Sequence, residues 1–207
     1  MNRIASFIII FLLTPIYIVV FIFLLLQGIK PLYFSKRIGV HGIDYFYMYK
    51  FTSIKNNDKN SYLTPKNSEN FFYFSNFLRK SKIDELPQFF NILFGHMNFV
   101  GPRPNLHELI TKYDRKDKEI ILSVKPGLTD LSTIIYGIDS DKHIVSLDVD
   151  NYFETVEKKK IFYRKIYVKN KSFFLDLKII IYTILTLLGI LKITDQNFNN
   201  FFKLKNK

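Results

Sequence analysis

Two carboxylates, Asp84 and Glu85, stand side by side in KSKIDELPQFFNILFGHMNFVGPRPN, which runs from Lys80 to Asn105. Arg79 precedes them, Arg103 sits in the Gly-Pro-Arg-Pro turn that closes the stretch, and Lys50 ends an aromatic run upstream. Acidic residues at a helix start are favoured by the helix dipole, which accounts for many Asp-Glu pairs with no further role. The three cations change that reading. They make a setting for an oxyanion-rich ligand, and the unpaired N–H groups of a helix start suit phosphate. Carboxylates beside phosphates commonly act through Mg2+, and an aspartate can attack phosphorus to form an acyl phosphate. One carboxylate would hold the metal and the other would be the nucleophile. The Lys and Arg side chains would offset charge on the phosphoryl oxygens in the transition state.

The composition narrows the alternatives. The 207 residues include no cysteine, which excludes disulfides, thiolate metal sites and cysteine nucleophiles. His41, His96, His107 and His143 show no metal-ligand spacing. No glycine-rich P-loop followed by Lys-Ser/Thr is present. The net charge of +12 favours polyanions: nucleic acid, anionic lipid head groups or nucleotide diphosphates. No nucleic-acid-binding module accompanies that charge, so no nucleic-acid partner is expected. Apolar residues at 48%, with 22 Phe and 13 Tyr, exclude disorder as a global description.

The elements that must position these groups begin with a membrane segment. Ile4 to Ile29 carries no charge, and roughly 20 apolar residues suffice to cross a bilayer. Thr14-Pro15 falls near its middle, where proline removes a backbone bond to Phe11. The Thr14 hydroxyl can bond a backbone carbonyl and relieve part of that cost. Two forms are open: a kinked spanning helix, which the residues alone favour, and a re-entrant hairpin. Arg3 flanks one end, and Lys30, Lys36 and Arg37 flank the other. In either form the soluble part faces the cytoplasm.

Beyond the membrane segment, Gly39 and Gly42 bracket a turn and the alternating run IDYFYMYKF reads as a strand. Residues 54–70 are polar and read as a loop. Phe71 to Leu78 reads as a short helix, and Ser81 as the N-cap of the helix that carries the carboxylates. A single charged helix is expected over 105–122, then a Pro126-Gly127 turn followed by an apolar strand or loop. Asp150 to Tyr167 reads as a very basic helix, a solvated face or an interfacial one turned towards anionic lipid. Ile179 to Leu191 is too short to span and reads as an amphipathic or core helix. The last residues read as a frayed tail.

These residues match a known family. IDELPQFFNILFGHMNFVGPRP resembles the signature of the bacterial sugar transferases, the monotopic phosphoglycosyl transferases. RIGVHGIDYFYMYKFTSI resembles their upstream element, and VKPGLTDLSTI and YVKNKSFFLDLKIIIYTI their two downstream ones. The likeness runs from Phe11 to about Leu187 in the family's order, and the size matches the members that are a catalytic core only.

The resemblance implies transfer of a sugar-1-phosphate from a UDP-sugar to undecaprenyl phosphate, with release of UMP. It implies Mg2+ held by Glu85, a covalent phosphosugar on Asp84, and phosphate contacts from Lys50, Arg79 and Arg103. It also implies a re-entrant helix broken at Thr14-Pro15. The expected fold class is α+β: a re-entrant helix over 1–29, a catalytic core with interfacial amphipathic helices over 30–191, and a polar and aromatic tail over 192–207. The expected place is the bacterial cytoplasmic membrane, with the core facing the cytoplasm. The expected partners are inner-leaflet lipid and downstream glycosyltransferases of capsule, exopolysaccharide or glycoprotein assembly. Thr52, His96 and Asp130 depart from the family pattern and bear on sugar and nucleotide preference. The alternative from another class is a non-catalytic membrane adaptor that binds anionic lipid through its basic helices.

Overall fold

The computed structural model describes residues 2–54, 72–136 and 149–204. The charge-free run forms one helix, α1 (Asn2–Leu26), with Pro15 inside it. Thr14 Oγ1 donates to Ile10 O at 3.0 Å, the back-bond expected beside the proline. The helix is long and apolar enough to cross a membrane. Only Ser6, Val20 and Leu24 of it are buried.

A hairpin follows: β1 (Leu32–Ile38), a 3-10 turn over Val40–Gly42, and β2 (Tyr45–Phe51), antiparallel with Leu32 opposite Phe51. The strand β2 was legible from its alternation; its partner β1 was not. Because side chains alternate, Tyr33, Ser35 and Arg37 share a face with Phe46, Met48 and Lys50. Arg37, read from sequence as a flanking charge of the membrane segment, is thereby turned to the same side as Lys50. The polar loop expected over 54–70 lies outside the described residues, apart from Ile54.

Next come α2 (Ser75–Lys80), a 3-10 turn over Ile83–Glu85, and α3 (Gln88–Leu93). Ser81 is not the N-cap that sequence suggested. Its hydroxyl donates to Phe77 O at 2.7 Å, so it closes α2. Lys82 then takes a left-handed conformation, φ 58°, which turns the chain before the carboxylates. The dyad therefore sits on a 3-10 turn ahead of α3, and Pro87 stands at the N-cap of α3.

The rest of the core is β3 (Asn98–Val100), α4 (His107–Thr111), α5 (Arg115–Ile121), β4 (Gly127–Thr129) and α6 (Leu131–Tyr136). The expected single helix over 105–122 is two helices. Tyr113 is buried at the break, and Asp114 is extended at φ −60°, ψ 150°. Strands β3 and β4 pair in parallel, Asn98 with Gly127 and Val100 with Thr129. Their ends approach so closely that a Cβ on Gly127 would lie 2.1 Å from Gly101 N. Only glycine permits this contact, and it fixes the Gly-Pro-Arg-Pro turn against the Pro126-Gly127 turn.

The C-terminal part holds α7 (Val149–Tyr152), a π-helical turn over Phe153–Glu157, α8 (Lys158–Asn170), α9 (Phe173–Leu187) and α10 (Phe198–Phe201). The basic helix α8 is not simply a solvated or interfacial face. Ile161, Tyr163, Arg164, Ile166 and Tyr167 are buried, and Lys158 and Lys159 are exposed. The tail is not frayed through 204: Phe198 and Phe202 join Leu131, Tyr167 and Ile179 in the largest core cluster. Asp195 accepts from the hydroxyls of Tyr136 and Tyr163, which ties the tail down. Apolar burial outweighs the polar composition there. By contrast, α9 leaves Phe174, Leu177, Ile181, Ile184 and Leu188 exposed on or at the end of the helix.

Candidate active site

A cavity of about 690 Å³ brings together Lys50, Arg79, Asp84, Glu85 and Arg103 from β2, α2, the 3-10 turn and the Gly-Pro-Arg-Pro turn. Thr14 and Pro15 do not join it; both are exposed on α1. Glu85 Oε1 accepts from Lys50 Nζ at 3.0 Å and from Arg103 Nη2. Burial alone would raise the Glu85 carboxyl, but the charges of Arg103 and Lys50 hold it well below the usual range. Burial lowers the Lys50 ammonium, opposed by the Glu85 charge.

Asp84 is different. It is buried, and its Oδ1 has no hydrogen-bond partner. Burial raises its pKa, with Lys50, Lys82 and Arg79 pulling the other way. The two adjacent carboxylates are thus driven apart in acidity: one is ion-paired with Lys50 and Arg103 and the other is buried with an oxygen that accepts no hydrogen bond. That is the pattern of two carboxylates with separate tasks.

The supports explain why the turn holds its place. Tyr17 of α1 donates its hydroxyl to Leu86 O at 2.7 Å, directly after the dyad. Ser6 of α1 donates to Phe89 O at 2.6 Å. Arg103 is anchored twice more, by Nη1 to Leu128 O at 2.8 Å and by its backbone N to Asp130 Oδ2 at 3.1 Å. Asp130 in turn accepts from Ser132 Oγ, Thr133 N and Thr133 Oγ1 at the start of α6. It is fully buried and is not in the cavity wall. His96 also stays outside the cavity, its ring stacked on Phe46 at 5.8 Å. Of the three departures from the family pattern, Thr52 alone lines the cavity.

The chain belongs to the bacterial sugar transferase family. The family model described as "Bacterial sugar transferase" matches residues 1–189. The chain is 32% identical over 77% of its length to a UDP-glucose:undecaprenyl-phosphate glucose-1-phosphate transferase of Xanthomonas campestris pv. campestris, covering 32% of that protein. It is 35% identical over 87% of its length to a protein of the same name in Klebsiella pneumoniae, covering 38% of it. It is 28% identical over 91% of its length to a UDP-N-acetylgalactosamine-undecaprenyl-phosphate N-acetylgalactosaminephosphotransferase of Aeromonas hydrophila, covering 43% of that one. The chain therefore spans about a third to two fifths of the length of these curated relatives.

The sugar transferase cavity also holds cations that sequence reasoning missed. Arg37, Lys82, Lys160 and Arg164 line it as well. A signal existed for Lys160 and Arg164, which stand four apart on α8 and so share a helix face with Glu157. Arg164 Nη1 donates to Glu157 Oε1 at 2.6 Å and to Tyr113 Oη at 2.7 Å, and Asn105 Nδ2 reaches Glu157 at 2.9 Å. Burial pushes Lys160 down to about 8. The cavity also has an apolar lip, with Ile9 of α1 and Ile180, Ile184 and Leu187 of α9.

Proposed function

We propose that this chain transfers a sugar-1-phosphate from a UDP-sugar to undecaprenyl phosphate and releases UMP. The observation that carries the reading is one cavity with a dyad in a cationic setting and an apolar lip. The cations suit a diphosphate, and the lip suits the chain of a lipid phosphate. Asp84, whose Oδ1 has no partner, attacks the phosphorus that bears the sugar. The bond from that phosphorus to the bridging oxygen breaks, and UMP leaves with the electron pair. An oxygen of undecaprenyl phosphate then attacks the same phosphorus and frees Asp84. Lys50, Arg79 and Arg103 offset charge on the phosphoryl oxygens throughout.

Mg2+ fits this reading. The ion pairs of Glu85 with Lys50 and Arg103 both use Oε1, and Oε2 is the oxygen that would bind a metal. No group of three or more His, Cys, Asp and Glu that could hold a metal occurs among the described residues. Mg2+ is commonly bound by one or two carboxylates plus substrate phosphate and water, so no fuller cage is needed. When bound, it would neutralise diphosphate charge. The test supplies a panel of UDP-sugars with undecaprenyl phosphate and follows UMP. UMP should appear with one sugar donor, vanish in excess chelator and fall sharply with Glu85→Gln. Release of inorganic phosphate instead would overturn the reading.

The membrane reading is monotopic, in the bacterial cytoplasmic membrane, with both ends of α1 on the cytoplasmic side. Asn2 lies 3.0 Å from Asn98 near one end, and Leu24 packs with Phe51 and Leu78 near the other. A helix of 25 residues is about 37 Å long. One that crossed a core of about 30 Å would carry an end away from a body on the near side. Cysteines placed singly at the exposed Asn2 and Lys30 should both resist an impermeant maleimide in intact cells and react after lysis. Labelling of position 2 from outside would show a spanning helix instead. The product, a lipid-linked sugar, is the substrate that downstream glycosyltransferases of glycan assembly would extend.

A further inference from the structure

We propose that Arg37 forms the nucleotide end of the cavity and holds the phosphate that departs in UMP. The inference rests on the transfer reading for the identity of its ligand and on the following geometry for the site itself. Arg37 lies on β1, on the face of the hairpin that carries Lys50, and it lines the same cavity as Asp84. Its Nε is sealed from solvent and has no hydrogen-bond partner. Among the described residues no carboxylate pairs with its guanidinium at ion-pair distance. Glu85 spends its contacts on Lys50 and Arg103, and Glu157 on Arg164.

Glu85 and Glu108 act on Arg37 through space only, and a cation in such a wall without a hydrogen-bonded counter-charge is costly unless a ligand supplies one. Burial and the repulsion of Arg103 lower the Arg37 pKa to about 10, so it stays charged at neutral pH. A guanidinium fork suits a phosphate, which it can bond with two parallel N–H donors. The position selects which phosphate. Three of the four residues of the apolar lip come from α9, with Ile9 of α1 beside them, and α9 packs on α6, β3 and β4. Arg37 is on β1, which pairs with β2, and the neighbouring Ile38 bonds Asn105 O. The cavity lining contributed by the hairpin and its neighbours is mixed, with Tyr33, Ser35, Thr52 and Glu108 beside Phe51, Ile54 and Leu106. A lipid chain has its apolar lip elsewhere, and the hydrophilic nucleotide has this end. As the bond from the attacked phosphorus to the bridging oxygen breaks, that oxygen gathers charge on the UMP phosphate, and Arg37 offsets it.

The test measures UMP binding at equilibrium, by calorimetry on the full chain in detergent, for the wild type, Arg37→Ala, Arg37→Gln and Arg37→Lys. Arg37→Gln keeps a planar polar head, and melting curves identify which variants are folded. Loss of the charged hydrogen bonds should weaken UMP about 10- to 100-fold in the Ala and Gln variants. Lys, a point charge without the fork, should recover only part of this. The kcat/KM for undecaprenyl phosphate, which in a two-step transfer reports the second step only, should stay within about twofold, for a phosphate bound at the other end. Wild-type affinity in a folded Arg37→Ala or Arg37→Gln variant overturns the assignment. So does a loss confined to undecaprenyl phosphate, or a wild type that binds no UMP. A wild type that binds UMP through Arg37 but transfers no sugar leaves this site standing and removes the transfer reading.

Discussion

Asp84→Asn should stop UMP release, with a loss on the order of 10⁴- to 10⁶-fold, the scale seen when a covalent catalytic group is removed. Asparagine has nearly the same shape, so the turn over Ile83–Glu85 should hold. The amide cannot ionise and is a poor nucleophile. Incubation with a UDP-sugar alone separates the two steps: the wild type should release UMP in proportion to enzyme and gain the mass of a phosphosugar on the peptide with Asp84. The Asn variant should do neither. Asp84→Glu should also be poor, because one methylene displaces the attacking oxygen by about 1 Å, which costs on the order of 10²-fold. The pKa of Asp84 is raised by burial, so the carboxylate that the proposed attack requires is gained as pH rises through that raised value. Single-turnover UMP release should therefore increase with pH on the acid side. An Asn variant that turns over at the wild-type rate would place the nucleophile elsewhere.

Glu157→Ala should be the most destabilising of the single changes considered, by about 3–5 kcal/mol, as for other broken buried ion pairs. Glu157 is 1% exposed and Arg164 is 3% exposed. Asn105, Tyr113 and Arg164 all spend hydrogen bonds on the Glu157 carboxylate. Removing it leaves the buried guanidinium with Asp130, whose Oδ2 lies 3.5 Å from Arg164 Nε. For a chain of this size each kcal/mol moves the melting temperature by about 2–4 °C. A drop of roughly 6–20 °C is therefore expected in melts of the detergent-solubilised protein. Burial alone would raise the Glu157 carboxyl, but Arg164 and Lys160 bring it down to about 2 from an ordinary 4.5. The folded value is depressed, so the stabilisation is complete above the unfolded value and is lost as pH falls through about 2. Its size is about 3 kcal/mol. The gap in melting temperature between wild type and Glu157→Gln should accordingly be full at neutral pH and shrink below about 4.5. Equal melting at pH 7 would sink the idea.

Features that depend on residue type and near neighbours were legible in one dimension. A run without charge from Ile4 to Ile29 must form a helix that shields its backbone, and α1 is that helix. Alternating aromatics made β2 legible, and the adjacent carboxylates with Lys50, Arg79 and Arg103 marked the cavity before any fold was known. Tertiary structure decided what depends on partners far along the chain. Ser81 closes α2 instead of opening α3, because the left-handed Lys82 turns the chain between them. The helix expected over 105–122 breaks where Tyr113 turns inward to meet Glu157 and Arg164, more than forty residues away. Arg37 reads as a flanking charge in one dimension, and only pairing with β2 turns it to the side of Lys50. Lys160 and Arg164 read as a solvated face, and only the packing of α8 makes them part of the cavity wall. The physical reason is common to all of these. Local propensity and periodicity fix which elements can form, but a charged side chain is turned inward only where distant groups, or a ligand, offset the loss of its water.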